Sequence, residues 1–456
     1  MQPSGVLQIV FAVHCGAGHT NGSFSLARQL RSRGHRVVYL GLAAARPLVV
    51  QNGFEFVAFA EDLVPETAYQ PMATPRASWW RRRLAEERVF AAFLERCSNG
   101  ELDESLLSCR PDLVLCDSLI WYVGLRSLFL GIPTVGLSTF LSGPPNSRIP
   151  PVVCPRVPRD SWWGRLQVRA DWWAMRWRLF FSKRLVPRLL SEYRFPTRMQ
   201  HLTGEFKRLA RRSGFACDKG RTYWVGIVGP HLMLPEIVLC PRAFDFGGAG
   251  MAGRRYLGGM VDAGRPEDGS LLARLDPEKP LVYCSLGSDA HFYPHSEHFF
   301  GTVCAAAGLR RDWQWVLSVG SEGAAGRHRG TSENLRVVRW APQLALLRRA
   351  AVMVTHCGLN SILECVHFGV PMVAVPGLRD QPGNMARAVH HGIAVTAKMK
   401  DLTPEQLVAR IDVAMHSEEL RQALSRMKCA IEEENGLPAA IELLENSGAR
   451  ENKRRA

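Results

Sequence analysis

The twelve cysteines of this 456-residue chain include no C-x-x-C pair. That absence argues against a zinc site. Scattered cysteines in so long a chain fit reduced thiols better than a disulfide frame, which points to a cytosolic protein. No apolar run approaches the roughly 20 residues that a membrane-spanning helix needs. The N-terminus has no basic segment ahead of its apolar run from Val6 to Val13, and that run ends in a glycine-rich turn, so a signal peptide is not expected. Zinc-finger spacing, an aromatic single-strand-binding signature and a basic tail longer than Lys453-Arg454-Arg455 are also missing, which leaves nucleic-acid binding unsupported. Acidic residues are the scarcer charge, 42 Asp and Glu against 57 Lys and Arg, for a net +15. Such a balance favours anionic partners, among them phosphate-bearing ligands and anionic membrane surfaces.

Apolar residues, by contrast, make up 46% of the chain. That supports full cores, and the length suits two domains of about 200 residues each. Leu7 to His14 reads as a strand, GAGHTNG as a turn, Ser23 to Ser32 as a helix ended by Gly34, and RVVYLGL as a second strand. This is a βαβ unit, and the rhythm recurs at PDLVLCDSLI, a helix through Leu128, and IPTVGLS. Repeated units of this kind predict an α/β fold, a parallel sheet with helices on both faces. The stretch from Ser142 to about Arg212, rich in Pro, Trp and Arg, breaks the rhythm, and Gly258 to Pro280 reads as an interdomain linker. Alternation restarts at LVYCSLGS and continues to terminal helices between about Thr403 and Leu444. Two such domains place a ligand in the cleft between them, with the chemistry at the carboxyl ends of the strands.

The turn after the first strand holds Gly16, Gly18 and Gly22, close to a dinucleotide fingerprint but with one residue of extra spacing. An NAD site also wants an acidic residue closing the second strand. Here that strand ends Tyr39-Leu40-Gly41-Leu42-Ala43, which argues against it. The same turn carries His19. With an ordinary pKa of about 6.5 it is a candidate general base, or else a loop histidine bonded to backbone. Asp117 ends the apolar strand in VLCDSL, where it orients His19 or caps the following helix.

The densest constellation runs from Trp340 to Gln381. His356 closes a strand, Gly358 permits close backbone approach, and Asn360 and Ser361 open a helix whose free N–H groups and dipole suit a phosphate. Glu364, one turn further, is placed to accept two ribose hydroxyls or to complete a capping box with Ser361. Asp380 and Gln381 follow the next strand with groups suited to sugar hydroxyls. Trp340 ends an earlier strand and offers a stacking face for a base.

This segment resembles the donor-binding signature of the family 1 UDP-glycosyltransferases, two residues shorter than the plant form, and the chain follows that family in outline. The resemblance implies the GT-B fold, two Rossmann-like domains facing across a cleft. It implies an acceptor-binding domain over residues 1–262, a linker over 263–280, a nucleotide-sugar-binding domain over 281–430 and a C-terminal helix and tail over 431–456. By the same resemblance, Trp340 stacks on uracil, and Ala341 and Gln343 contact the base and ribose region. His356, Asn360 and Ser361 hold the diphosphate, Glu364 the ribose, and Asp380 with Gln381 the transferred sugar. Gly287 and Ser288 match the phosphate-proximal loop, His19 the catalytic base and Asp117 its partner. Two positions depart. Leu359 stands where plant members usually have Trp, which leaves the donor sugar open, and Gly22 stands where Pro is usual. The run DQPGNMARAVHHG is closer to bacterial enzymes that glycosylate carotenoids or polyketides.

The implied activity is inverting transfer of a hexose, glucose first, from a UDP-sugar to a hydroxyl of a small lipophilic acceptor. It uses no metal and no cofactor beyond the UDP-sugar co-substrate. A non-catalytic GT-B-like helper and a sugar-nucleotide epimerase are the other classes to separate. The segment Arg156–Arg188 carries nine basic and two acidic residues and five of the twelve Trp. As a helix it aligns Trp162, Leu166, Ala170, Trp173, Trp177 and Phe181 on one face, with Arg165, Arg169, Arg176 and Lys183 largely off it. Packing on the N-terminal domain as an acceptor-pocket wall is the first expectation for that face. A membrane interface is the second, which would put a cytoplasmic protein peripherally at the inner face of the membrane.

Overall fold

The structure, a computed structural model, describes residues 5–64, 92–141, 143–184, 207–213, 215, 222–224, 230–247, 253–259, 261–290 and 293–455. Its strands are β1 (Gln8–Ala12), β2 (Arg36–Gly41), β3 (Glu55–Ala58), β4 (Leu113–Asp117), β5 (Thr134–Ser138), β6 (Thr222–Trp224), β7 (Pro230–Leu232), β8 (Glu236–Val238) and β9 (Arg254–Tyr256). The second half adds β10 (Leu281–Ser285), β11 (Gln314–Ser318), β12 (Leu335–Val338), β13 (Ala350–Thr355), β14 (Met372–Ala374) and β15 (Ala394–Thr396). Two parallel sheets result, ordered β3-β2-β1-β4-β5-β8-β9 and β12-β11-β10-β13-β14-β15. A short antiparallel pair, β6-β7, stands apart.

The strands read as continuous apolar runs because both faces of each sheet are covered. Along β1, Ile9 and Phe11 enter one core while Val10 and Ala12 enter the other. Along β10, Leu281 and Tyr283 divide from Val282 and Cys284 in the same way. This is the two-residue alternation of a strand applied to a fully buried sheet. Burying each large apolar side chain contributes on the order of 1.5–3 kcal/mol.

In the first sheet the order reverses between β1 and β4, and in the second between β10 and β13. Such switch points open a crevice at the carboxyl ends of the strands. His19 follows β1 and Asp117 ends β4, while Gly287 and His356 follow β10 and β13, so each crevice receives one candidate histidine.

The helix after β1 spans Ala17–Ser32, starting six residues earlier than its apolar periodicity predicts. Its N-cap is Gly16, so His19 sits in the first helical turn and not in a loop. Polar residues there masked the start, since Thr20 and Ser23 are buried through hydrogen bonds to backbone. Residues 263–280, expected to link the domains, pack on the second one. Leu275 joins its core, and the Glu267 carboxylate accepts from the N–H groups of Leu344 and Ala345. The terminal helix Leu437–Arg455 returns to the first domain, where Ala440, Ile441 and Leu444 join the core of Ile9 and Phe11.

The helix Trp162–Arg184 packs through the face opposite to the one first expected. Val168 and Trp172 are buried, whereas Trp162, Trp163, Leu166, Ala170, Trp173 and Trp177 are exposed. The side chains of Phe181 and Lys183 lie outside the described residues. Among the described residues no helix is long and apolar enough to cross a membrane, and every cysteine is a free thiol.

Candidate active site

The cluster in the first crevice is built on His19. Its Nδ1 lies 2.7 Å from Oδ2 of Asp117 and 2.6 Å from Oγ1 of Thr139. An ionised carboxylate only accepts, so the Nδ1 proton points to Asp117 and Nε2 keeps its lone pair. Asp117 is fully buried and also accepts from the backbone N–H groups of Leu119 (2.9 Å) and His14 (3.3 Å). It therefore both caps the turn after β4 and orients His19. Burial pushes the Asp117 carboxyl up, but the His19 charge and hydrogen bond hold it below the usual carboxylate range. Burial penalises the His19 imidazolium too, and the Asp117 carboxylate outweighs that and holds its pKa above the ordinary value. His14, whose ring centre is 5.1 Å from that of His19, is pulled down to about 4, first by burial and then by the His19 charge. A neutral His14 accepts from the N–H of Gly16 at 3.0 Å and so fixes the turn that carries His19.

Across the cleft, His356 is held between two glycines. A Cβ on Gly287 would come within 2.5 Å of its ring, and one on Gly358 within 2.7 Å. Gly287 also has φ +76°, a conformation that L side chains rarely adopt. Burial pulls His356 down to about 4, and its Nδ1 is buried with no hydrogen-bond partner among the described residues. A neutral imidazole there supplies an N–H and no charge. Gly358 is the N-cap of the helix Leu359–Phe368, so Asn360 and Ser361 occupy the first turn, where free N–H groups suit a phosphate. Asn360 donates from Nδ2 to the Gly18 carbonyl at 2.7 Å, bringing the two crevices into contact. Gly22, in the position of the usual proline, leaves room for this, because a Cβ there would sit 3.3 Å from Asn360 Oδ1. Leu359 packs in the core of the second domain.

Glu364 is buried and forms no capping box, since the helix starts at Gly358. Its carboxylate accepts from Gln343 Nε2 and, at 3.3 Å, from Arg265 Nη1. Burial pushes Glu364 up, against the pull of the Arg265 charge and the Gln343 hydrogen bond. Gln343 also donates to Ser361 Oγ at 3.2 Å and accepts from the Tyr283 hydroxyl at 3.0 Å. Ala341 is half-buried against the core, Ser288 is half-buried beside Gly287, and Trp340 stands 52% exposed two residues beyond β12. The Asp380 carboxylate accepts from Asn384 Nδ2 at 2.8 Å. Both ends of the Gln381 amide are engaged inside the protein, Oε1 with the N–H groups of Gly377 and Leu378 and Nε2 with the Tyr293 hydroxyl.

His14, Thr139, Arg265 and Arg379 are the residues that sequence reasoning missed. Arg379, beside Asp380, has a left-handed backbone with φ +62° and pairs with Asp289 of the loop after β10. Its charge bears on His14, His19 and His356 alike, so it lies in the field of both crevices. A basic residue two positions before a glutamine in a turn carries no pattern that would single it out. Among the described residues no group of three or more His, Cys, Asp or Glu side chains is placed to hold a metal ion. The arrangement sets a histidine oriented by a carboxylate on one side against a helix start whose free N–H groups suit an anion on the other.

The family model described as UDP-glucoronosyl and UDP-glucosyl transferase matches residues 243–429. The chain is 26% identical over 446 residues to oleandomycin glycosyltransferase of Streptomyces antibioticus, covering 97% of this chain and 90% of that protein. It is 24% identical over 440 residues to zeaxanthin glucosyltransferase of Pantoea ananas, covering 94% and 93%. Its fold matches the crystal structure of the glycosyltransferase of kitacinnamycin with a TM-score of 0.66, at 23% identity and over 97% and 99% of the two chains. The two facing Rossmann-like domains are thus the GT-B architecture.

Proposed function

We propose that this chain, whose residues 243–429 match the UDP-glucoronosyl and UDP-glucosyl transferase family model and whose fold is GT-B, moves a hexose from a UDP-sugar, glucose first, to a hydroxyl of a small lipophilic natural product. The His19–Asp117 pair set against the Gly358–Ser361 helix start is the observation that carries this reading. His19 Nε2 takes the proton of the acceptor hydroxyl. The acceptor oxygen attacks the anomeric carbon, and the bond from that carbon to the diphosphate oxygen breaks with its electron pair leaving on the diphosphate. Asp117 stabilises the imidazolium, and a single displacement inverts the anomeric centre. General-base help of this kind contributes about 10²–10⁴-fold.

On the donor side the leaving diphosphate meets the helix start, the His356 N–H and the Arg379 charge, and this set calls for no metal ion. Glu364 takes the ribose hydroxyls by exchanging Arg265 or Gln343 for them, and Trp340 stacks on the base. Asp380 faces the transferred sugar, with Gln381 shaping the turn before it. The oleandomycin and zeaxanthin enzymes, named for lipophilic natural products, support that acceptor class. Free thiols throughout the described residues support a reducing compartment, the cytoplasm.

Incubating the purified full-length chain with UDP-glucose and a panel of lipophilic alcohols and phenols tests the reading. Mass spectrometry should find a hexosylated acceptor. Complete inertness toward UDP-, dTDP- and GDP-hexoses would point to a non-catalytic helper. Conversion of the donor to an isomeric sugar nucleotide without any acceptor would point to an epimerase.

A further inference from the structure

Exposed tryptophan is rare on folded proteins, because a large apolar ring left in water forgoes its burial energy. Five tryptophans are markedly exposed among the described residues, and four of them, Trp162, Trp163, Trp173 and Trp177, lie on the helix Trp162–Arg184. Trp162 is 71% exposed and Trp173 63%, and Leu166 stands with them. At 3.6 residues per turn, Trp162, Leu166, Trp173 and Trp177 fall within a sector of roughly 60°. Arg165, Arg169 and Arg176, all exposed, fill the adjoining sector. The opposite side is anchored: Val168 and Trp172 are buried, and the Trp172 indole N–H donates to the Ile149 carbonyl at 2.8 Å.

We propose that this helix is a membrane-interface platform, its tryptophan row lying in the headgroup region of an anionic lipid bilayer and its arginine row contacting the lipid phosphates. Charge complementarity selects the occupant. Arg156–Arg188 carries nine basic residues against two acidic ones, within a chain of net +15. One acid, Asp171, is already paired with Arg156, and the other, Asp160, lies 3.1 Å from Arg165. Indole rings favour the membrane–water boundary, and a straight row of them beside a row of cations fits a plane of anionic headgroups. The placement also leads to the candidate active site. Ile149, which anchors Trp172, is followed by Val152, which packs with Phe140, whose ring centre lies 6.5 Å from that of His19. A lipophilic acceptor held in the bilayer would meet the cleft from this side. Vesicle binding does not require the transfer reaction, so the two readings can fail separately.

Co-sedimentation of the full-length protein with phosphatidylcholine vesicles, alone or with an equal part of phosphatidylglycerol, tests the proposal across a salt series. Binding should require the anionic lipid and weaken as salt rises, since screening shortens to about 10 Å at 0.1 M. Each basic group near such a surface is worth on the order of fivefold in partitioning at low salt. Arg165→Gln/Arg169→Gln/Arg176→Gln should therefore weaken binding about 100-fold. Trp162→Ser/Trp163→Ser/Trp173→Ser should weaken it at least about tenfold. Both variants alter exposed side chains, so their thermal unfolding and UDP titration should match wild type. Removing the same charge elsewhere, with Lys453→Gln/Arg454→Gln/Arg455→Gln, should change binding less than about twofold. No pelleting with anionic vesicles at low salt overturns the proposal. So does pelleting that the arginine and tryptophan variants leave unchanged. Tryptophan-dependent self-association in lipid-free sedimentation velocity would overturn it in favour of a second copy of this chain.

Discussion

His19 and His356 stand at the switch points of the two sheets, on opposite sides of them: His19 follows β1, and His356 follows β13, the counterpart of β4. Each follows a central strand of a parallel sheet at the point where the strand order reverses, and each is largely buried. Burial acts on both in the same direction, against the charged ring. His19 has the Asp117 carboxylate 2.7 Å from Nδ1 and is held above its ordinary pKa. His356 has glycines on two sides and a Nδ1 without a partner among the described residues, and it falls to about 4. The hydrogen-bonded Asp117 carboxylate holds one ring above its ordinary value, while the other, which lacks such a bond, stays neutral. The position in the fold selects where a histidine acts, and the neighbour selects which chemistry it performs.

The largest effect that separates the two domains should come from His19→Ala. Turnover should fall about 10²–10⁴-fold with UDP affinity nearly unchanged, as measured by initial rates and calorimetric titration. Normal turnover of an alcohol acceptor by this variant would remove His19 as the base. Glu364→Ala should do the converse, with UDP affinity falling roughly 10- to 100-fold through loss of charge-assisted hydrogen bonds to the ribose. It also leaves the Arg265 guanidinium with Glu267 as its remaining acidic partner, so the melting temperature should drop and must be measured alongside. UDP binding equal to wild type would place Glu364 outside the donor site.

A smaller effect should follow from Asp117→Asn. The base must be neutral to accept a proton, so the wild-type rate should rise with pH through a midpoint above the ordinary histidine value of about 6.5. Asparagine still accepts from Nδ1 but brings no charge. The midpoint should move to lower pH, with a plateau reduced less than in His19→Ala. A pH–rate profile with an unmoved acid limb would contradict the assignment of that limb to His19. The smallest expected signal sharpens the comparison most directly. The imidazole proton resonance of His356 should stay flat above pH 5.5, while that of His19 titrates. Titration of His356 near 6.5 would break the contrast between the two domains.

Much of this site was legible from strand-end positions. Apolar runs closed by His, Asp or Gly mark carboxyl edges of parallel strands, and His19, Asp117, Gly287 and His356 all stand at such edges. The helix Trp162–Arg184 was harder. Its periodicity defines a tryptophan face but not which side meets the protein, because Val168 and Trp172 supply a second, narrower apolar stripe. Trp172 prevails through a hydrogen bond to Ile149, a carbonyl 23 residues away that no local pattern points to.

Periodicity, turn glycines and the placement of chemical groups at strand ends are local properties, so the sequence alone determined two α/β domains and the list of candidate groups. Which groups meet is a long-range matter. Asp117 reaches His19 across 98 residues, Arg265 reaches Glu364 across 99, and Asn360 reaches Gly18 across 342. Protonation follows those meetings, because charge interactions and desolvation depend on distance and burial and not on order along the chain. The tertiary structure alone therefore decided that His19 is the basic histidine, that His356 is the neutral one, and that the tryptophan row faces outward.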